Sequence, residues 1–230
     1  MRIWAIVPAA GIGHRFGSMI PKQYLNICGT PVLLHSINCL LRFDEFVKVI
    51  VVLHPDDKYW DDLDLGSSRV ETVIGGDERV DSVLNGLKML EGIAEANDWV
   101  AVHDAVRPCL SYQDLRKLMS ELQNEEVGGL LASPIVDTLK KVNNRLEIMK
   151  TVDRDQIWSA MTPQIFRYSL LKEAISRQKK LRTPATDEAG AIEAIGLKPR
   201  IVQGEKTNIK ITDATDLALV EQIILSQARA

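Results

Sequence analysis

Short apolar runs recur along the chain, each followed by a polar loop and then by apolar residues at helical spacing. Ile3 and Ala5 to Val7 suit a buried strand. Pro31 opens a helix that carries Leu33, Leu34, Ile37, Leu40 and Leu41. Residues 47–53 and 69–74 then read as further strands, Gly75-Gly76-Asp77 turns the chain into a helix over about 78–90, and residues 99–103 supply the next strand. Helices follow near 168–178, 186–195 and 214–226. Strand-helix alternation of this kind predicts an α/β fold, a Rossmann-like three-layer sandwich with a mostly parallel sheet covered on both faces. In such sheets ligands bind beyond the carboxyl ends of the strands, so Gly11, Gly76 and Asp104 are expected to converge despite their separation in sequence.

The rhythm breaks over residues 138–152, where two β-prone stretches flank Asn143-Asn144. That pattern predicts a protruding β-hairpin arm at about 137–153. Two strands are marginal alone, so the arm either packs on a second subunit or stands exposed on its own domain. There is no internal repeat, low-complexity tract or linker, and the 230 residues are expected to form one domain.

With 28 basic and 31 acidic residues the net charge is -3, which gives no support to a nucleic-acid or anionic-membrane partner. Small anionic ligands held by local clusters stay possible. Cys28, Cys39 and Cys109 are odd in number and lack CxxC spacing, so they read as reduced packing residues rather than zinc ligands. No apolar run approaches membrane-spanning length, and the opening MRIWAIVPAAG lacks the pattern of a secretory leader. The expected location is cytoplasmic.

The stretch from Val7 to Tyr24 joins the first strand to a loop of small residues holding two fixed charges, Arg15 and Lys22. Ala9, Ala10, Gly11 and Gly13 leave the backbone amides open to a phosphate. The loop is not a P-loop, since Gly17 is followed by Ser18 and Met19, nor a dinucleotide fingerprint, since Phe16 stands where a small residue is needed. Read alone, it is either a triphosphate cradle or a structural turn with surface charges. Asp104 leaves a buried strand and suits magnesium as a hard oxygen ligand, or caps its own loop. His103 reads as structural; His14, His35 and His54 lack metal-ligand spacing, and no GxSxG elbow occurs.

In order along the chain stand Pro8-Ala-Ala-Gly-Ile-Gly13, Arg15, Pro21-Lys-Gln23, Gly75-Gly-Asp-Glu-Arg79 with Asp81-Ser82, His103-Asp-Ala-Val-Arg-Pro108, Asp137-Thr138, Thr151-Val-Asp-Arg154, Thr162-Pro-Gln164, Thr186-Asp-Glu188 and Asn208-Ile-Lys210. This series resembles the 2-C-methyl-D-erythritol 4-phosphate cytidylyltransferases of the nonmevalonate isoprenoid pathway, nearly end to end. The resemblance implies the nucleotide-diphospho-sugar transferase type of fold and the conversion of CTP and methylerythritol phosphate to CDP-methylerythritol and pyrophosphate. It also implies a divalent metal, usually magnesium. Such a reaction needs no enzyme nucleophile, because the acceptor's phosphate attacks; the protein must align two polyanions and stabilise a pentacoordinate α-phosphorus.

By resemblance, Arg15 and Lys22 stabilise that transition state and Asp104 holds the metal. Ala9, Ala10, Gly11, Gly13, Gly76, Asp77 and Ser82 frame the nucleotide, although Ser82 equally suits a helix N-terminus. Arg107 supports the phosphate or metal side, or forms a plain salt bridge. Thr138, Arg154, Thr162, Thr186 and Lys210 match acceptor positions, with Asp187 available to the polyol hydroxyls. In the family the arm crosses to a neighbour and completes its site, which implies a homodimer. One departure is the lack of a carboxylate just before Asn208, where Lys206 and Thr207 stand, so a second protein metal ligand is unassigned. Two rival readings are a cytidylyltransferase acting on ribitol 5-phosphate or another polyol phosphate, and a noncatalytic nucleotide-binding protein.

Overall fold

Alternation along the first strand decides the layering. Ile3, Ala5 and Val7 face one hydrophobic cluster, Trp4 and Ile6 another, and all five are buried. A strand covered on both faces must sit inside a sheet with helices on each side. The computed structural model describes residues 1–11, 20–180 and 185–229.

In chain order the elements are β1 (Ile3–Pro8), β2 (Asn26–Ile27), β3 (Thr30–Pro31), α1 (Val32–Leu41), β4 (Phe46–Leu53), β5 (Val70–Ile74), α2 (Arg79–Met89), β6 (Trp99–Val102), α3 (Tyr112–Leu122), β7 (Gly128–Pro134), β8 (Leu139–Val142), β9 (Ile148–Val152), β10 (Trp158–Arg167), α4 (Tyr168–Gln178), α5 (Glu188–Ala194), β11 (Arg200–Gln203) and α6 (Thr215–Gln227). Seven strands form the main sheet in the order β11-β7-β10-β6-β1-β4-β5. β10 runs antiparallel to both neighbours and the other pairings are parallel, so the sheet is the mostly parallel one that the strand-helix rhythm predicts. Helices α1 and α3 pack on one face through Leu33, Ile37, Leu115 and Leu118; α2, α4 and α5 pack on the other through Val83, Leu87, Leu171 and Ile192. The result is a Rossmann-like three-layer α/β sandwich.

The helix expected over 186–195 begins at Glu188, because Asp187 takes the N-cap and accepts from the Gly190 amide at 2.9 Å. Strands β7, β10 and β11 and helix α3 lie outside what the hydrophobic pattern suggests. β7 opens on Gly128-Gly129, and glycine reads as a strand breaker from sequence. Here the absent side chains permit contact: a Cβ at Gly128 would collide with the Ile165 carbonyl oxygen, and one at Gly129 with that of Arg200. Helix α3 carries its own start signal, since the Ser111 hydroxyl accepts from the Asp114 amide at 3.1 Å.

β8 and β9 pair antiparallel with each other as a separate two-stranded sheet, the expected hairpin arm. Asn143 closes its turn, with Oδ1 accepting from the Arg145 and Glu147 amides at 2.9 and 3.1 Å.

Candidate active site

The strand order reverses at β1, which has β4 on one side and β6 on the other. A crevice opens at the carboxyl ends of strands around such a switch point. The loop leaving β1 first extends the sheet, the Ala9 amide donating to the Val52 carbonyl at 2.8 Å. Buried Gln23 then grips it from below: Nε2 donates to the carbonyls of Ala9 at 2.8 Å and Gly11 at 2.9 Å. Gln23 has no role in the sequence reading, although it lies within the Pro21-Lys-Gln23 motif. Ala9, Ala10 and Gly11 themselves line the cleft.

The opposite wall comes from the turn after β5. The Gly75 amide donates to the Leu53 carbonyl at 2.7 Å, holding the turn on the sheet. A Cβ at Gly75 would stand 2.7 Å from Ala10 Cβ and 2.8 Å from Ser82 Oγ, and one at Gly76 would strike Asp81 Cβ. Glycine is therefore required by close approach, with no unusual φ involved. Ser82 is buried, and its hydroxyl accepts from the Gly76 amide at 3.3 Å, so the side chain shapes the turn from within.

Asp104 lies at the floor of the cleft, buried just past the end of β6. Its Oδ2 meets Lys210 Nζ at 3.0 Å and Arg107 Nε at 3.2 Å, and its Oδ1 meets Arg79 Nη2 at 3.5 Å. Burial alone would favour the neutral acid, but these three cations outweigh it and hold the carboxyl well below the usual carboxylate range. Arg107 is anchored in turn, donating from Nη1 to the Asn208 carbonyl at 2.7 Å. Arg79 makes a second, closer pair with buried Glu188 at 2.6 Å. The Glu188 and Asp104 carboxylates raise its pKa despite the opposing effect of burial.

Beneath the carboxylate runs a buried polar chain. The Asp104 amide donates to Thr162 Oγ1 at 3.0 Å, Thr162 Oγ1 lies 3.0 Å from His103 Nδ1, and His103 Nε2 lies 3.1 Å from the Arg107 carbonyl. A carbonyl only accepts, so Nε2 carries the proton and Nδ1 accepts from the threonine hydroxyl. Complete burial pushes His103 down to about 4, leaving it neutral. His103 is structural, as its sequence context suggests.

Nine of the expected residues line one cleft: Ala9, Ala10, Gly11, Lys22, Gly76, Asp77, Ser82, Asp104 and Lys210. Lys22 donates from Nζ to the Ile211 carbonyl at 2.8 Å, which aims it along the same wall as Lys210. Gly13 and Arg15 lie outside the described residues. Five of the acceptor expectations, Thr138, Arg154, Thr162, Thr186 and Asp187, lie outside that lining. Thr162 has its hydroxyl engaged by Asp104 and His103, so it orders the floor of the site. Asp187 accepts from the Gly190 amide and from Gln164 Nε2 at 2.9 Å each, so its carboxylate holds the start of α5. Thr138 and Arg154 stand exposed at the base of the arm, away from this chain's own cleft, with Arg154 donating to the Val136 carbonyl. Thr186 is exposed just before the α5 cap.

Among the described residues no group of three histidine, cysteine or carboxylate side chains converges to cage a metal. The single Asp104 carboxylate fits the other mode of magnesium binding, in which one or two protein carboxylates share the ion with substrate phosphates. No helix among them is long and apolar enough to cross a membrane.

Comparison with known proteins agrees with this geometry. Residues 3–226 match the family model for 2-C-methyl-D-erythritol 4-phosphate cytidylyltransferase (IspD). The protein of that name from Dechloromonas aromatica is 48% identical over 226 residues, covering 97% of each chain. A crystal structure of a 4-diphosphocytidyl-2C-methyl-D-erythritol synthase superposes with a TM-score of 0.84 at 34% identity, over 97% of this chain and 98% of the other. The Francisella tularensis 2-C-methyl-D-erythritol 4-phosphate cytidylyltransferase gives a TM-score of 0.83 at 32% identity, over 97% of this chain and all of that one. This chain belongs to the 2-C-methyl-D-erythritol 4-phosphate cytidylyltransferase family.

Proposed function

We propose that the cleft transfers CMP from CTP to 2-C-methyl-D-erythritol 4-phosphate, giving 4-diphosphocytidyl-2-C-methyl-D-erythritol and pyrophosphate for isoprenoid precursor synthesis. The carrying observation is the ionised Asp104 carboxylate, ringed by Lys210, Arg107 and Arg79 at the floor of a cradle walled by backbone. A purely nucleotide-binding protein has no need of so many cations aimed at one point.

The acceptor phosphate is ionised near neutrality and attacks the α-phosphorus without help from a base. The work of the protein is therefore alignment and charge stabilisation. Backbone around Ala9, Ala10, Gly11 and Gly76, with Asp77, frames the cytosine and ribose, and Ser82 sets the shape of that frame. Lys22 and Arg15 meet the negative charge that grows on the α-phosphoryl oxygens and the leaving pyrophosphate. Lys210 and Arg107 hold phosphate near Asp104, with Thr186 toward the acceptor. Asp104 would hold magnesium together with phosphate oxygens, and the ion when bound neutralises triphosphate charge.

The arm carries Thr138 and Arg154 to the acceptor of a neighbouring subunit in a homodimer. Support comes from Leu146, Ile148 and Met149, which are 81%, 65% and 64% exposed on an arm whose strands, among the described residues, pair only with each other. The unit is one nucleotidyltransferase domain with the arm as its appendage. A cytoplasmic workplace is supported by the three unpaired cysteines.

The test is pyrophosphate release from CTP. It should require both magnesium and methylerythritol phosphate. Equal or faster turnover with ribitol 5-phosphate would overturn the acceptor assignment.

A further inference from the structure

Arg79, after the Gly75-Gly76 turn, and Glu188, after Thr186-Asp187, are motif residues that meet each other beside the cleft. The fold brings them together although they are 109 residues apart. Arg79 opens α2 and donates from Nη1 to Glu188 Oε1 at 2.6 Å and from Nη2 to Oε2 at 3.1 Å. Glu188 opens α5, and its side chain is 1% exposed. A buried carboxylate persists only when paired, and two parallel bonds to one guanidinium fix direction as well as charge. The pair therefore ties the start of α2, which follows the nucleotide turn, to the start of α5, which follows Thr186.

The consequence for Asp104 lies in how freely its three cations move. Lys210 is a point charge on a flexible stem, with a side chain 41% exposed, and can turn to an arriving phosphate. Arg107 is anchored on the Asn208 carbonyl. Arg79 lines the cleft and touches Asp104 only at 3.5 Å, because its fork is taken by Glu188. Without that hold, the guanidinium would close on the nearest strong anion, either Asp104 or the triphosphate.

We propose that Glu188 is a positioning residue for cytidylyl transfer: its buried carboxylate holds Arg79 against the wall of the cleft, keeping the guanidinium off the phosphates and leaving Asp104 accessible. This rests on the cytidylyltransferase reading of the same cleft.

The test is steady-state kinetics of Glu188→Gln, varying CTP and methylerythritol phosphate separately, with the wild-type protein alongside. The expected result is a fall in kcat on the order of 10–100-fold, the scale of a misplaced group, with KM for CTP unchanged within about threefold. Adding Glu188→Gln to Arg79→Gln should cost nothing further, as required of residues acting as one unit. Glu188→Gln with a lowered thermal midpoint but wild-type kcat per active site would mean a strut only, and would overturn the proposal. If Glu188→Gln fails to fold, Arg79→Lys carries the test: it keeps the charge and loses the fork, so kcat should fall in the same way, and wild-type kcat would overturn the proposal. A wild-type protein inactive toward methylerythritol phosphate would instead bring down the underlying reading, and this inference with it.

Discussion

The cleft and the arm are built by opposite means from one chain. Around the cleft, β1, β4 and β6 are almost wholly buried, and the polar side chains that shape it, Gln23, Ser82, Thr162 and His103, find partners inside the fold. Among the described residues the arm pairs its two strands only with each other, and it exposes apolar side chains at its tip. Geometry around the cleft is thus set by one chain's own core, because tight packing and satisfied hydrogen bonds leave few alternatives. A bare two-stranded ribbon is marginal by itself, and its side chains acquire a task only against something outside the chain. The candidate site residues divide along that line: Lys22, Asp104 and Lys210 line the cleft, while Thr138 and Arg154 stand exposed on the arm.

The strongest test of this division is subunit complementation. Lys22→Ala, which damages a cleft, should lower kcat by on the order of 10²–10³ while CTP still binds, since it removes one group aimed at transition-state charge. Arg154→Ala, which damages an arm, should lower turnover mainly through weaker use of the acceptor. Mixing and re-equilibrating the two inactive proteins should restore about a quarter of wild-type activity, because half of a random mixture is heterodimer with one intact site of two. No recovery would place both residues in the same subunit's site and end the comparison.

A smaller effect is expected within the cleft wall. Gly76→Ala puts a Cβ against Asp81 Cβ, so the turn must shift. KM for CTP should rise on the order of tenfold, with KM for methylerythritol phosphate little changed, given how sensitive a bound pose is to displacement of its frame. Equal losses for both substrates would show that the two halves of the cleft are not separable.

The smallest effect belongs to the arm. Ile148→Ala should leave the stability of the isolated chain within about 0.5 kcal/mol, as expected of an exposed position. Analytical ultracentrifugation should then show weaker self-association. An unchanged dimer would release the arm tip from the interface.

Part of this arrangement was legible in order along the chain. Buried strands covered on both faces show as unbroken apolar runs, which is why β1, β4 and β6 stand out, and Asn143-Asn144 marks the arm turn by its own chemistry. β7 and β10 were masked by Gly128-Gly129 and by Pro163, residues that oppose strand formation locally; the glycines are accepted because a Cβ at either would strike a neighbouring strand. Asp187 and Thr162 match acceptor positions by motif, yet each has a local partner within hydrogen-bond distance that motif spacing does not reveal.

By itself the sequence determined the layered α/β architecture, the glycine-lined loop with its fixed charges, and the family, because periodicity and short motifs are local properties that survive without coordinates. Only the tertiary structure decided that Asp104 is shared among Lys210, Arg107 and Arg79, that Glu188 holds Arg79, and that Gln23 supports the loop. The pairings of Asp104 with Lys210 and of Arg79 with Glu188 each span more than a hundred residues; they depend on which strand ends the sheet order brings side by side, and that order is fixed by the packing of the whole chain.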